Sequence, residues 1–178
     1  MKLPSRNKSQ ELLEHYIENP ALRHHCEMVA ESMLAYARKK EADEELWYQT
    51  GLLHDLDYEK FPDQHPLKAV NELLADYPQE LKQAVLAHGP EITGVEPDTM
   101  MEGYLFACDE LSGFMHAYAL MRPNGFTGMK PGKVIKKLSD LNFAAKVNRK
   151  DIEKGFNLID EDRMDHIQFL IQTFTTMG

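Results

Sequence analysis

The sequence predicts an all-α fold: a helical bundle with a C-terminal helical extension. Two observations carry that reading. Apolar residues recur at three- and four-residue spacing in segment after segment, with helix-capping residues at the starts. No stretch alternates apolar and polar residues over the length of a strand, and no repeats or low-complexity tracts occur.

The elements follow in order. Leu12, Leu13, Tyr16 and Ile17 form the first apolar stripe, after a Ser9 that can cap it. Asn19-Pro20 restarts the chain with a cap and a first-turn proline, and Leu22, Cys26, Val29, Met33 and Ala37 make the inner face of a second helix. His25 shares that face, whereas His24 points away from it. Asp43 caps a third helix whose acidic first turn, Glu44-Glu45, suits the helix dipole; it runs through Leu46, Trp47, Thr50 and Leu53 to His54. His65-Pro66 opens a further helix through Val70, Leu73 and Leu74, and Pro78 opens one with Leu81, Val85 and Leu86. His88-Gly89-Pro90 stops it. Asp98 is read as the cap of a long helix from Thr99 to about Met121, broken by Arg122-Pro123-Asn124-Gly125. Short helices are expected around Val134, Ile135 and Leu138 and around Phe143, Ala144 and Val147, with a last helix from Asp160 to Thr176. The 178 residues are expected to form one domain, with a core at about 20–121 and a C-terminal helical part at about 122–178.

Composition limits the function. A formal charge of −9 argues against general nucleic-acid binding, because most of such a surface repels a polyanion. Residues 122–154 nevertheless carry nine Lys/Arg against three Asp/Glu, leaving −15 on the remainder. That segment is read as a solvated helical face, with a basic rim for an anionic substrate as the alternative. No apolar run approaches the roughly 18 residues of a membrane span, and the N-terminus has no signal-peptide core. Cys26 and Cys108 have no metal-binding spacing and are expected to pack as small buried residues. A cytoplasmic protein is expected, with no membrane or nucleic-acid partner and the oligomeric state open, a homo-oligomer included.

The chemistry centres on Gly51-Leu52-Leu53-His54-Asp55-Leu56-Asp57. A histidine and an aspartate at the end of an apolar helix are costly to bury unless something compensates. His25 on a buried face and Asp109 beside Cys108 on the long helix add donors of the same kind. A shared divalent cation would neutralise the carboxylates and take the imidazole nitrogens. A His₂Asp₂ set suits Mn²⁺, Fe²⁺, Co²⁺, Ni²⁺ or Zn²⁺ better than an all-oxygen Ca²⁺ cage.

The order His25-Cys26-Glu27-Met28-Val29-Ala30, then Gly51-Leu52-Leu53-His54-Asp55, then Ala107-Cys108-Asp109-Glu110-Leu111 resembles the HD-domain superfamily of metal-dependent phosphohydrolases. Leu52 to Tyr58, Cys108 to Phe114, Arg122-Pro123 and Phe143 to Arg149 also resemble a subfamily of small bacterial HD proteins. The resemblance implies that His25, His54, Asp55 and Asp109 hold one divalent transition metal. In relatives with two ions, further histidines lie between the His-Asp pair and the last Asp, and His65 and His88 stand where such ligands fall. Where some relatives have two adjacent histidines, this chain has His88-Gly89. Where many have Gly and Lys after the His-Asp, it has Asp57 and Tyr58. Lys60 is the candidate replacement for that lysine, Arg122 a second candidate phosphate ligand, and Asp57 the candidate base or orienting acid. The implied activity is hydrolysis of a small phosphorylated molecule, with a nucleotide favoured, by metal-activated water. The alternatives are a non-catalytic metal- or nucleotide-binding module and a di-iron oxygenase. His15, His24, His116 and His166 belong to no motif.

Overall fold

The structure is a computed structural model describing residues 2–177, and among these every regular element is helical. Two compact units, Met1–Phe106 and Ala107–Gly178, meet at a boundary that falls within one helix. No helix among the described residues is long and apolar enough to cross a membrane.

In the first unit, α1 (Arg6–Tyr16) starts at Ser5, whose side chain accepts from the Lys8 N–H. Ser9, read as the cap, lies inside the helix instead, fully buried, with its hydroxyl on Gln49 Oε1 at 2.7 Å and Tyr77 Oη at 2.8 Å. A small hydroxyl can serve a buried polar junction as readily as a helix end, and spacing does not separate the two. α2 (Pro20–Lys39) begins as expected, with Asn19 capping and Pro20 in the first turn. α3 (Glu44–Leu53) begins at Asp43, which accepts from the Leu46 N–H. A short 3₁₀ turn (Pro62–Gln64) and a wide π-type turn (Ala69–Leu73) lead to α4 (Gln79–Ala87) and the single turn α5 (Pro90–Thr93).

The core of this unit gathers Leu13 and Ile17 of α1, Cys26, Ala30 and Leu34 of α2, Leu52 and Leu53 of α3, and Leu81 and Val85 of α4. Each fully buried leucine or isoleucine contributes roughly 2 kcal/mol. α3 is the hub, packed on α1, α2 and α4. Its closest approach is at Gly51, where a Cβ would fall 2.8 Å from Ala30 Cα and 2.9 Å from Val29 C. Gly51 is needed there because two helix backbones touch, with no room for a methyl group.

α6 (Met100–Leu120) starts in the first unit and ends in the second. Its start is a capping box rather than an Asp98 cap: the Glu102 N–H donates to Thr99 Oγ1, and Glu102 Oε2 accepts from the N–H groups of Thr99 and Asp98. In the second unit, α7 (Pro131–Leu138) packs on α9 (Arg163–Thr175), which Asp162 caps. α8 (Arg149–Leu158), capped by Asn148, is a helix the sequence reading missed. The helix expected around Phe143–Val147 is instead a set of turns, with Ala144 at a φ of 44°. Arg149 explains the difference: its guanidinium donates to the carbonyls of Asp140, Phe143, Ala144 and Val147, drawing the segment into a coil around one cation. Both cysteines are free and buried, and burial together with neighbouring Asp109 pushes the Cys108 thiol far above its ordinary range.

Gly51→Ala is expected to destabilise the protein by about 2–3 kcal/mol, because the added methyl meets backbone that cannot rotate away. Urea unfolding of the two proteins measures the difference.

Candidate metal centre

Four histidines surround one carboxylate in the first unit. His25 comes from α2, His54 closes α3, His65 closes the 3₁₀ turn and His88 closes α4. Asp55 follows His54 directly and lies between them. Its Oδ2 is 3.5 Å from His54 Nε2 and 3.8 Å from His25 Nε2; its Oδ1 is 3.5 Å from His65 Nε2 and 3.7 Å from His88 Nε2. The rings pack edge to face, with centroids 5.2 Å apart for His25 and His54, 5.3 Å for His54 and His88, and 5.0 Å for His65 and His88.

Local hydrogen bonds set which nitrogen faces inward. His54 Nδ1 lies 2.7 Å from the Gly51 carbonyl and His88 Nδ1 lies 2.5 Å from the Val85 carbonyl. A carbonyl can only accept, so both Nδ1 atoms carry the proton and both Nε2 atoms present a lone pair. These carbonyls are available because each histidine ends its helix, where the last turn leaves acceptors unmatched. His65 Nδ1 donates to Asp57 Oδ1 at 2.7 Å, which turns its Nε2 inward as well. His65 Nε2 and His88 Nε2 then stand 3.1 Å apart with Asp55 Oδ1 in front of both. Lone pairs held this close repel until a cation is shared among them. Asp55, His65 and His88 each offer an atom within 4.8 Å of the others, a spacing that one metal ion can span. The residues present therefore fit a divalent ion, and imidazole with carboxylate favours the transition metals expected from the sequence.

The remaining expected residues fall in different places. Asp57 is fully buried, and its second oxygen accepts from the Ala69 N–H at 2.7 Å. Both oxygens are thus committed to holding His65 and the turn behind it. Lys60 turns to α1, where its ammonium donates to the His15 carbonyl at 2.7 Å and lies 3.6 Å from Glu18. The C-terminal end of α1 attracts that cation. Arg122 donates to the carbonyls of Gly125 and Thr127, ordering the loop that follows it. Neither cation is brought to the histidines by these contacts. Asp109 lies on α6 in the second unit, half-buried. Lys130, Lys133, Lys136, Lys146 and Lys150 of the basic segment are exposed, as on a solvated face.

Two parts of the centre escaped sequence reading. The carbonyls of Gly51 and Val85 leave no trace in residue identity. The glycine itself, as distinct from its carbonyl, did leave one at position 51, since a glycine inside a helix costs about 1 kcal/mol and calls for a packing reason.

Asp57→Asn is expected to weaken metal affinity about 10–100-fold with the fold retained, because an amide cannot accept from both His65 and Ala69. Asp55→Ala is expected to abolish stoichiometric binding. Elemental analysis and titration against a chromophoric chelator report both effects.

A family model described as the HD domain matches residues 22–113, a span that includes His25, His54, Asp55, His65, His88 and Asp109. No curated protein and no solved structure matches the chain. With just over half of its length matched, and its buried histidines gathered on the His-Asp pair, this chain belongs to the HD-domain family.

Proposed function

We propose that this protein is a metal-dependent phosphohydrolase acting on a small phosphorylated molecule, with a nucleotide as the favoured form. The observation that supports it is the position of Asp55 between two pairs of inward-facing histidine nitrogens. His65, His88 and Asp55 would hold one ion, and His25 and His54 would help to hold a second. Asp109 is carried as a further ligand from the family resemblance. When bound, such an ion would supply Lewis-acid polarisation of a phosphoryl oxygen and acidification of a water molecule.

The chain's own residues supply preorganisation. Gly51 and Val85 carbonyls and Asp57 fix three imidazoles in one tautomer before anything binds. A ligand atom held by a second hydrogen bond loses little freedom when it coordinates. Asp57 serves here as an orienting acid rather than a base, because it is fully buried with both oxygens engaged.

Metal-loaded protein is expected to hydrolyse a simple phosphate ester such as p-nitrophenyl phosphate, and chelation is expected to stop the reaction reversibly. His54→Ala and Asp55→Ala are each expected to lower turnover about 10³-fold, the scale of the charge stabilisation a metal provides. Normal hydrolysis by both variants would remove the assignment. One carboxylate between two histidine pairs also favours a second reading, a di-iron oxygenase. Oxygen uptake by iron-loaded protein without phosphate release would replace the first reading with that one. Tight ligand binding with neither activity would leave a binding module.

A further inference from the structure

The residues that follow the His-Asp pair hold one exposed aromatic ring beside the metal centre. Leu56 and Asp57 are fully buried, whereas Tyr58, the next residue, is 52% exposed. An exposed side chain in a loop is ordinarily mobile, but this loop is fixed on both sides of the tyrosine. The Tyr58 N–H donates to the Asp55 carbonyl at 2.9 Å, and the Phe61 N–H to the Asp57 carbonyl at 2.8 Å. Asp57 is clamped between His65 and the Ala69 N–H. Glu59 Oε2 accepts from the N–H groups of Glu18 at 3.0 Å and Asn19 at 2.9 Å, and Lys60 donates to the His15 carbonyl. Tyr58 alone in 56–60 has a side chain that is neither buried nor tied by a hydrogen bond to another element among the described residues. Its ring packs against His65, with centroids 5.2 Å apart and planes at 86°. His65 is one of the nitrogens facing Asp55.

A rigid, half-exposed aromatic ring next to inward-facing metal ligands has a specific use. Stacking on it costs little conformational entropy, because its backbone is already fixed. The nearby cations do not compete for the role: Lys60 is held at the end of α1, and Lys68 is paired with Glu72 at 2.6 Å. Phosphate recognition would then fall to the ion, and recognition of the rest of the substrate to the ring.

We infer that Tyr58 is the stacking platform for a planar aromatic group, a nucleobase or an aryl group, of a phosphorylated ligand bound at the metal centre. The inference rests on the phosphohydrolase reading for its phosphate but is tested by binding, without turnover. The probes are the hydrolysis-resistant 5′-methylenephosphonates of adenosine and of methyl riboside, which differ in the base alone. Each is titrated calorimetrically into the metal-loaded full chain. The adenosine compound is expected to bind about tenfold more tightly, the scale of one base on one aromatic ring. Tyr58→Phe should keep that preference. Tyr58→Ala should reduce the ratio to about one, with metal content and riboside affinity unchanged. Three results overturn the inference: no binding or no base preference in the parent protein, a preference that survives Tyr58→Ala, or loss of metal or of riboside affinity in that variant. The last would mean that the ring only braces His65. Base preference without hydrolysis of any phosphate ester would retire the phosphohydrolase reading and leave Tyr58 as a ligand-binding residue. Hydrolysis without base preference would retire this inference alone.

Discussion

The close approach of α3 to α2 at Gly51 is the constraint on which the candidate metal centre depends. Ala30 and Val29 meet Gly51 backbone to backbone. That contact lies about one helical turn from His25 on one side and from His54 on the other, so the helix separation there sets the separation of the two rings. A side chain at position 51 would push the helices apart by the thickness of a methyl group. Metal–ligand bonds tolerate only a few tenths of an ångström. The glycine thus links packing to coordination: one small residue serves the core and the site together, and its carbonyl also orients His54.

Around that contact the site uses helix ends. His54 and His88 each terminate a helix, and each ring donates to a carbonyl in the last turn of its own helix. A terminus that would otherwise need a cap is satisfied by a ligand's spare nitrogen. His65 lies outside any such helix and is oriented by Asp57, itself buried and fully hydrogen-bonded. The candidate ligands therefore depend on different supports, local backbone for two and a distant acid for one, while all converge on Asp55.

Much of this was legible in the sequence, for identifiable reasons. The helices of the first unit follow from apolar spacing, and Asn19, Pro20 and Asp43 mark their starts because caps are local chemistry. The His-Asp pair and His25 stand out because imidazoles and a carboxylate on apolar faces require compensation, whereas His65 and His88 were marked only by the family resemblance. Thr99 with Glu102 was a readable capping box obscured by neighbouring Asp98. Long-range choices were not readable. Ser9 faces Gln49 and Tyr77, Lys60 turns to α1, and Arg149 gathers four carbonyls into a coil where apolar spacing suggested a helix. In each case a polar side chain had several partners within reach, and only the assembled chain selects among them.

The anchoring of the loop after Asp55 has a consequence for where the domain physically begins. The family match starts at residue 22, yet Glu59 is held by the N–H groups of Glu18 and Asn19, and Lys60 by the His15 carbonyl. Leu13 and Ile17 belong to the same core, and Ser9 reaches Gln49 of α3. The span that matches the family pattern therefore leaves out part of the core that folds around the site. A fragment trimmed to the pattern would keep the histidines and Asp55 but lose the first helix, and with it the floor under the loop that carries Tyr58.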